Sequence, residues 1–431
     1  MRRRAVEDPT ALDPLVSAYG LVSSVGELRA SGLPRGFHVW KAHGGVPGAP
    51  RWDREMTGGG RAWRDPELAR FVAIAEAAER YTGWDVLDER RVVASAASLD
   101  GACLEPWRYP RCSDAEYARP GCPAAPFDPA AEIRWASGTD LISGEPVWVP
   151  AVMACFGLAE PSPSERFSPR ISTGFAVHTD PVRAVVGGML EVLERDAVAV
   201  LWLQRLRLPR VAAADLGVRA AELAEWCRLR FMDVHFFDAT TDLGVPTVYC
   251  LICSEHDRRA SRVVGASADR DMASAAEKAL LEALGAPMFI HHVGEDAVPR
   301  DFADMRAAGD TARYMGLADR SEAFDFLLDE GARGPSVVRA PLDDDPATAL
   351  RDLVGRLADA GMRPVVVDRT TSELAEVGLT AVNVVVADLQ PMSLHPLAQF
   401  TAHPRLYEAP ARMGHPACGI EELNPWPQPL G

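Results

Sequence analysis

Short apolar runs alternate with longer apolar stretches of helical spacing along most of the chain. Segments 92–95, 147–152, 233–237, 247–253, 337–339, 364–368 and 381–387 are rich in β-branched and aromatic residues, and each predicts a strand. Between them lie helical patterns. After Asp65-Pro66, Leu68, Phe71, Val72 and Ile74 interleave with alanines. After Asp180-Pro181, Val182, Val185, Val186, Met189, Leu190, Val192 and Leu193 are apolar on most faces, which predicts a largely buried helix. Segment 347–360 reads as another helix, and 300–335 is charged, mixed and helical in part. Strands alternating with helices argue for an α/β architecture. Residues 1–56 read as an extended lead-in with turns at Gly20, Gly44-Gly45 and Pro47-Gly48, and residues 57–431 as one domain, since no linker-like stretch interrupts them. Segment 100–130, rich in Pro, Cys and Arg, reads as an exposed insertion.

Two of the helical segments share a template: Asp-Pro, nine residues, then Glu-x-x-Glu-Arg. The first runs from Asp65 to Glu76, Glu79 and Arg80, the second from Asp180 to Glu191, Glu194 and Arg195. An eroded third copy runs from Asp271 to Glu282 at the same offset. Ala69, Ala184 and Ala275 fall at matching places, and Gly60, Gly174 and Gly265 precede the three helices. The repetition is of one unit, a glycine loop, a capped helix and an acidic end. Asp can cap the free N–H groups of a first turn, and Pro at the first helical position loses no hydrogen bond.

Residues three apart share a helix face, so Glu76/Glu79 and Glu191/Glu194 are paired-carboxylate surfaces. Two like charges on a buried face repel and are costly to desolvate unless a cation meets them. Arg80 and Arg195 compensate in part. A lone Glu-x-x-Glu carries little information; Glu222/Glu225 and Glu373/Glu376 read as solvated faces, and one isolated Glu-x-x-Glu-Arg is more simply a structural ion-pair network. Two copies at one offset from an Asp-Pro cap favour a functional acidic cluster. Mg²⁺ suits it, because this ion binds through few carboxylates and keeps other positions for water and phosphate.

Composition narrows the classes. The chain has 431 residues, 48% of them apolar, and a net charge of −16, which opposes general nucleic-acid binding. It has no run of about twenty apolar residues, so no membrane span is expected, and the N-terminus lacks the apolar core of a secretory signal; the expected location is the cytoplasm. Eight cysteines are scattered. Cys250 and Cys253 form a C-x-x-C inside a strand, and Cys103, Cys112 and Cys122 lie without metal-ligand spacing, so free thiols are expected in preference to zinc.

The chain closes on Pro425, Pro427 and Pro429, which stiffen it toward an extended form. Such a tail is either a loose terminus or one presented to a defined site, and residue physics alone does not decide. Gly59-Gly60-Arg61 with Glu76 to Arg80, Ser172-Thr173-Gly174 with Glu191 to Asp196, the third motif at 266–282 and this proline tail together resemble the YcaO superfamily, in its azoline-forming cyclodehydratase D branch. Val72, Ala62 and Lys278 stand where the family commonly has Ser, Gly and Arg.

The resemblance implies a YcaO-type fold of repeated strand-loop-helix units around one ATP site. It implies ATP and Mg²⁺ as cofactors, with Glu76, Glu79, Glu191 and Glu194 as metal ligands. Arg80, Ser172, Gly174, Arg195, Lys278 and Glu282 are implied at the nucleotide, and Pro429 and the carboxylate of Gly431 beside the substrate. The implied reaction converts Cys, Ser or Thr of a ribosomally made precursor peptide to thiazoline or oxazoline. The implied partners are that peptide, an E1-like or ThiF-like protein that captures its leader, and a flavin dehydrogenase, with the chain itself a homodimer. The first 56 residues are too short and irregular for a leader-binding segment, so dependence on the capturing partner is expected. Thioamide or amidine formation on the same scaffold, or a non-catalytic scaffold role, are the alternatives.

Overall fold

The structure is a computed structural model and describes residues 8–29, 32–45, 56–85, 91–292, 298–305, 308–331, 333–334 and 337–430. In chain order its elements are β1 (Val22–Leu28), β2 (Phe37–Gly44), β3 (Met56–Trp63), α1 (Pro66–Thr82), β4 (Val92–Ala94), α2 (Asp114–Tyr117), β5 (Ile133–Asp140), β6 (Pro146–Pro150) and α3 (Ala151–Ala154). There follow β7 (Phe175–His178), α4 (Pro181–Leu203), α5 (Gly217–Arg228), β8 (Asp233–Asp238), β9 (Thr247–Cys253), β10 (Arg262–Ala268), α6 (Met272–His292), α7 (Ala308–Met315) and α8 (Asp325–Leu328). The last are α9 (Pro346–Asp359), β11 (Val365–Asp368), α10 (Ser372–Glu376), β12 (Thr380–Val385) and α11 (Arg405–Arg412).

The aspartate caps form as their sequence requires. Asp65 accepts from Leu68 N (2.9 Å), Asp180 from Val182 N (2.8 Å) and Asp271 from Ser274 N (2.8 Å). Asp345-Pro346 repeats the device at α9, with Asp345 accepting from Thr348 N (2.9 Å). At the far end of α1, the fully buried Arg369 donates to the carbonyls of Thr82 and Trp84, a cation placed at the negative pole of the helix.

Three antiparallel sheets carry the helices. One has the order β1-β2-β3, one β10-β9-β8, and the largest β4-β5-β11-β12-β7 with β6 on β5. Strands and helices alternate in sequence as expected, while every pairing is antiparallel. β9 is buried on both faces: Val248, Cys250 and Ile252 pack toward α5 and α6, and Tyr249, Leu251 and Cys253 toward the second half of α4. Cys250 and Cys253 therefore face opposite cores, and all eight cysteines are free. In β3, a side chain at Gly60 would collide with the Ala69 carbonyl of α1, so glycine lets strand and helix backbones touch.

Three expectations change, and the structure describes a tail that residue physics left open. The described lead-in is no extended arm: β1 and β2 complete the sheet of β3, and Val22, Ala42, Leu12 and Leu15 join α1 in one core. Pro47-Gly48 lies outside the described residues. Segment 337–339 forms no strand; Arg339 is drawn instead to Asp215 (2.6 Å) and Asp238 (2.7 Å). Segment 100–130 is anchored, not simply exposed. Tyr109 stacks with Phe167 and meets Phe127 edge-on, and the buried Glu116 accepts from Gln399 N and Thr401 N. Finally, the proline tail is packed. Trp202 Nε1 donates to Trp426 O (2.9 Å), Asn424 N to Leu203 O (2.8 Å), and Leu430 is 1% exposed among Val198, Trp202 and Tyr249. The Gln428 side chain locks Leu430 at two points, accepting from its N–H (2.7 Å) and donating to its carbonyl (2.6 Å).

Candidate active site

The three acidic helices meet the free edges of three sheets. β3, β10 and β7 are edge strands, and each leaves outward N–H groups unpaired by its own sheet. Glutamates take them. Gly59 N donates to Glu76 Oε2 (2.7 Å), Gly174 N, just before β7, to Glu191 Oε2 (3.0 Å), and Ala266 N to Glu282 Oε2 (2.8 Å). Ala268 N, also on β10, donates to Glu194 Oε2 (3.1 Å) and so ties α4 to the edge above α6. The equivalent positions of the repeat are thus Gly59, Gly174 and Ala266, one residue away from the glycine alignment of the sequence in two of the three copies. Gly174 has φ of +87°, and its carbonyl accepts from Val384 N (2.7 Å), so only glycine suits both bonds.

With one oxygen fixed on the backbone, the other oxygens face the arginines and each other. Arg80 Nη2 lies 2.7 Å from Glu76 Oε1, and Arg195 lies 3.5 Å from Glu191 Oε1 and 3.3 Å from Glu194 Oε1. The Glu79 carboxylate has no hydrogen bond among the described residues. Burial, then Glu191 and Glu76, push Glu79 well above the usual carboxylate range. Burial raises Glu191 despite Arg195. Burial pushes Glu194 up to about 8, with Glu282 and Glu191 adding to it and Arg195 opposing. Burial alone would lower both guanidiniums, but the surrounding carboxylates raise them, Glu76 foremost for Arg80 and Glu194 for Arg195. The cluster holds more negative charge than its two arginines neutralise, which is the arrangement a cation relieves.

Of the residues singled out in the sequence, Glu76, Glu79, Arg80, Gly174, Glu191, Glu194, Arg195 and Glu282 come together here. Lys278 sits at the rim, its Nζ 2.6 Å from Asp269. Ser172 closes the turn before β7, its carbonyl accepting from Phe175 N (3.1 Å). Pro429 is buried with the tail against α4, and Gly431 lies outside the described residues. Two participants went unassigned. Arg61 of β3 lies over Gly285, one turn beyond Glu282, and has no hydrogen bond or ion pair among the described residues. Its signal was a lone cation after three glycines. The other is Asp196, the residue after the second motif. It is fully buried, bound to Arg405 Nη2 (2.7 Å) and accepts from Gln390 N (2.8 Å); Arg405 also reaches Asp242 (2.7 Å).

Among the described residues, no three or more His, Cys, Asp or Glu side chains are placed to hold a metal by themselves. The residues nevertheless fit Mg²⁺, which needs only one or two carboxylates when phosphate and water complete its shell; Glu79 and the free Glu282 Oε1 supply such oxygens. The raised acids set a pH signature. Glu194 titrates near 4.5 when unfolded and about 8 when folded, so the fold keeps a proton that the unfolded chain has lost. Its contribution to stability therefore falls as pH rises between these values. Above about pH 6.5 the neutral buried histidines no longer change charge. The unfolding midpoint of the free chain should decline from about pH 6.5 to about pH 8.5, and Glu194→Gln should flatten that decline. Equal slopes in both proteins would count against the assignment.

An acidic, arginine-braced cluster at the junction of three sheets is an arrangement suited to a divalent ion and the phosphates such an ion accompanies. The chain belongs to the YcaO cyclodehydratase family, described as ATP- and Mg²⁺-binding, whose model matches residues 61–390. It is similar to a heterocyclase solved in complex with substrate and cofactor, with a TM-score of 0.81, 22% identity, and coverage of 98% of this chain and 57% of that one. It is also similar to YcaO from Methanopyrus kandleri bound with AMPPCP and Mg²⁺ (TM-score 0.58, 19% identity, 86% of each chain). A third likeness is to the E. coli microcin synthetase McbBCD complex (TM-score 0.57, 13% identity, 85% and 88%). A curated relative from Rhizobium leguminosarum bv. trifolii, described as an uncharacterized protein in the tfuA 3' region, is 28% identical over 218 residues, which are 48% of this chain and 51% of the relative. The chain spans about half the length of this relative and of the first heterocyclase. No helix among the described residues is long and apolar enough to cross a membrane.

Proposed function

We propose that the chain is an ATP-dependent cyclodehydratase subunit that converts Cys, Ser or Thr of a ribosomal precursor peptide to thiazoline or oxazoline. The observation that carries this reading is the cluster itself: four glutamates on α1 and α4, three of them held by backbone amides at the strand edges, with Glu79 left without a hydrogen bond among the described residues and raised. The substrate's thiol or hydroxyl gives up its proton to solvent and attacks the preceding carbonyl carbon. The resulting oxyanion takes the terminal phosphoryl group of ATP, ADP departs, phosphate then leaves with that oxygen, and loss of the amide proton closes the C=N bond. Mg²⁺, when bound, would bridge phosphate and carboxylate charge. Glu76, Glu79, Glu191 and Glu194 would hold it, with Glu282 in support. The buried Arg80 Nε, which has no acceptor among the described residues, and Arg61 and Lys278 would meet the phosphates. Ser172 and Gly174 would line the nucleotide pocket. Pro429 and Gly431 would close the site beside the peptide.

A leader-capturing partner completes the proposal, supported by the likeness to a synthetase that is itself a multi-protein complex. The test combines purified chain, ATP, Mg²⁺, a precursor peptide and the partner encoded beside it. Mass spectra should show loss of one water per ring with matching ATP consumption, and the partner should raise the rate by concentrating substrate at the site. ATP consumption with replacement of oxygen by sulfur, in place of water loss, would favour the thioamide alternative.

A further inference from the structure

We propose that Gln390 holds the peptide undergoing modification, accepting a hydrogen bond from one of its main-chain N–H groups in a cavity beside Arg195. This rests on the peptide-modifying reading above. Gln390 is 1% exposed. Its backbone N–H is held by Asp196, and its Nε2 donates to the carbonyls of Gln399 and Phe400, both at 3.3 Å. Those two carbonyls fix the orientation of the amide, because a flip would set oxygen against two oxygens. Oε1 is then left buried with no donor among the described residues. A buried acceptor in that state is costly, and a rigid one is a recognition element in search of a donor.

The place of the cavity says which donor. It has a volume of about 90 Å³ and is lined by Gln390, Arg195, Thr173, Val192, Val386 and Met392 among others. Arg195 is shared with the acidic cluster. Met392 packs in the same core as Leu430 of the tail. The cations proposed for the phosphates, Arg61, Arg80 and Lys278, lie on β3, α1 and α6, and none of them lines this cavity. The group entering from the α4 flank is therefore the acceptor of the phosphoryl group. A peptide offers an N–H at nearly every residue. The described tail residues do not supply it: Gln390 Oε1 has no donor among them, Pro427 and Pro429 have no N–H, Trp426 N is taken by Asn424, and Leu430 N by Gln428.

The experiment uses the full chain with Mg²⁺ and AMPPCP, and the probe acetyl-Gly-Cys-Gly-amide with its three singly N-methylated forms, followed by ligand-observed NMR. Gln390→Met should weaken the parent peptide about five- to tenfold, the worth of one buried hydrogen bond, and leave AMPPCP affinity unchanged. One N-methyl form should bind equally weakly to wild type and be indifferent to Gln390→Met, the sign of direct coupling. Peptide binding unaffected by Gln390→Met, loss of nucleotide affinity in its place, or no binding of the probe to wild type would each overturn the assignment. Should the variant fail to fold, equal binding of all three N-methyl forms to wild type does so. Gln390-dependent binding without water loss in the assay above would sink the azoline reading and leave this one standing.

Discussion

Replacing Glu191 with Gln is expected to leave the protein folded and to abolish Mg²⁺-dependent ATP turnover, a loss of at least about a hundredfold, and Glu76→Gln should do the same. The fold survives because glutamine keeps an oxygen that can accept from Gly174 N or Gly59 N, which the native carboxylates hold at 3.0 Å and 2.7 Å. What is lost is charge. A neutral amide gives little to a divalent ion, and it takes one of two carboxylate partners from Arg195, or the foremost partner from Arg80. Turnover by steady-state phosphate release, set beside an unchanged unfolding midpoint, separates this outcome from misfolding. Near-normal turnover in both variants would remove these glutamates from the chemistry.

Deleting residues 427–431 is expected to cut azoline formation at least about a hundredfold while leaving Mg-nucleotide affinity intact, since misplacing a positioning element costs rate steeply. The nucleotide contacts proposed above come from α1, α4 and α6, not from the tail. Truncation also exposes part of a core, because Leu430 packs on Trp202 and Tyr249. Gln428→Ala is therefore the sharper variant. It keeps every proline and removes only the two hydrogen bonds that fix Leu430. Cyclisation should fall about tenfold, about the worth of one to two hydrogen bonds. A loose terminus would leave both variants at wild-type rate.

The parts of the structure legible in the sequence were those fixed by local rules. Asp-Pro caps start α1 and α4, and the apolar run of Thr247–Cys253 forms a strand with the expected bounds. The acidic cluster was legible because repetition at one offset is improbable without a shared geometry. β3 was hidden because Gly58-Gly59-Gly60 has no strand propensity; it is a strand because β2 pairs with it and α1 needs its bare backbone. The packed tail was undecided because its anchors, Trp202 and Leu203, lie more than 200 residues upstream. Arg405 and Asp196, 209 residues apart, form a buried pair for the same non-local reason. No periodicity reports which N–H a glutamate will take.

The glutamate grip on strand edges also bears on solubility. An uncovered edge is a template for another chain, and proteins usually blunt it with charge or cover. Here the carboxylates of the acidic cluster are themselves the cover on β3 and β10. A substitution that removes the acceptor, such as Glu76→Leu or Glu282→Leu, would free an outward amide of an edge strand and invite intermolecular pairing, whereas the glutamine versions would stay dispersed. Selection on these positions then has two sources, turnover and self-association, and an inactive descendant of this chain would still be under pressure to keep a polar acceptor at each.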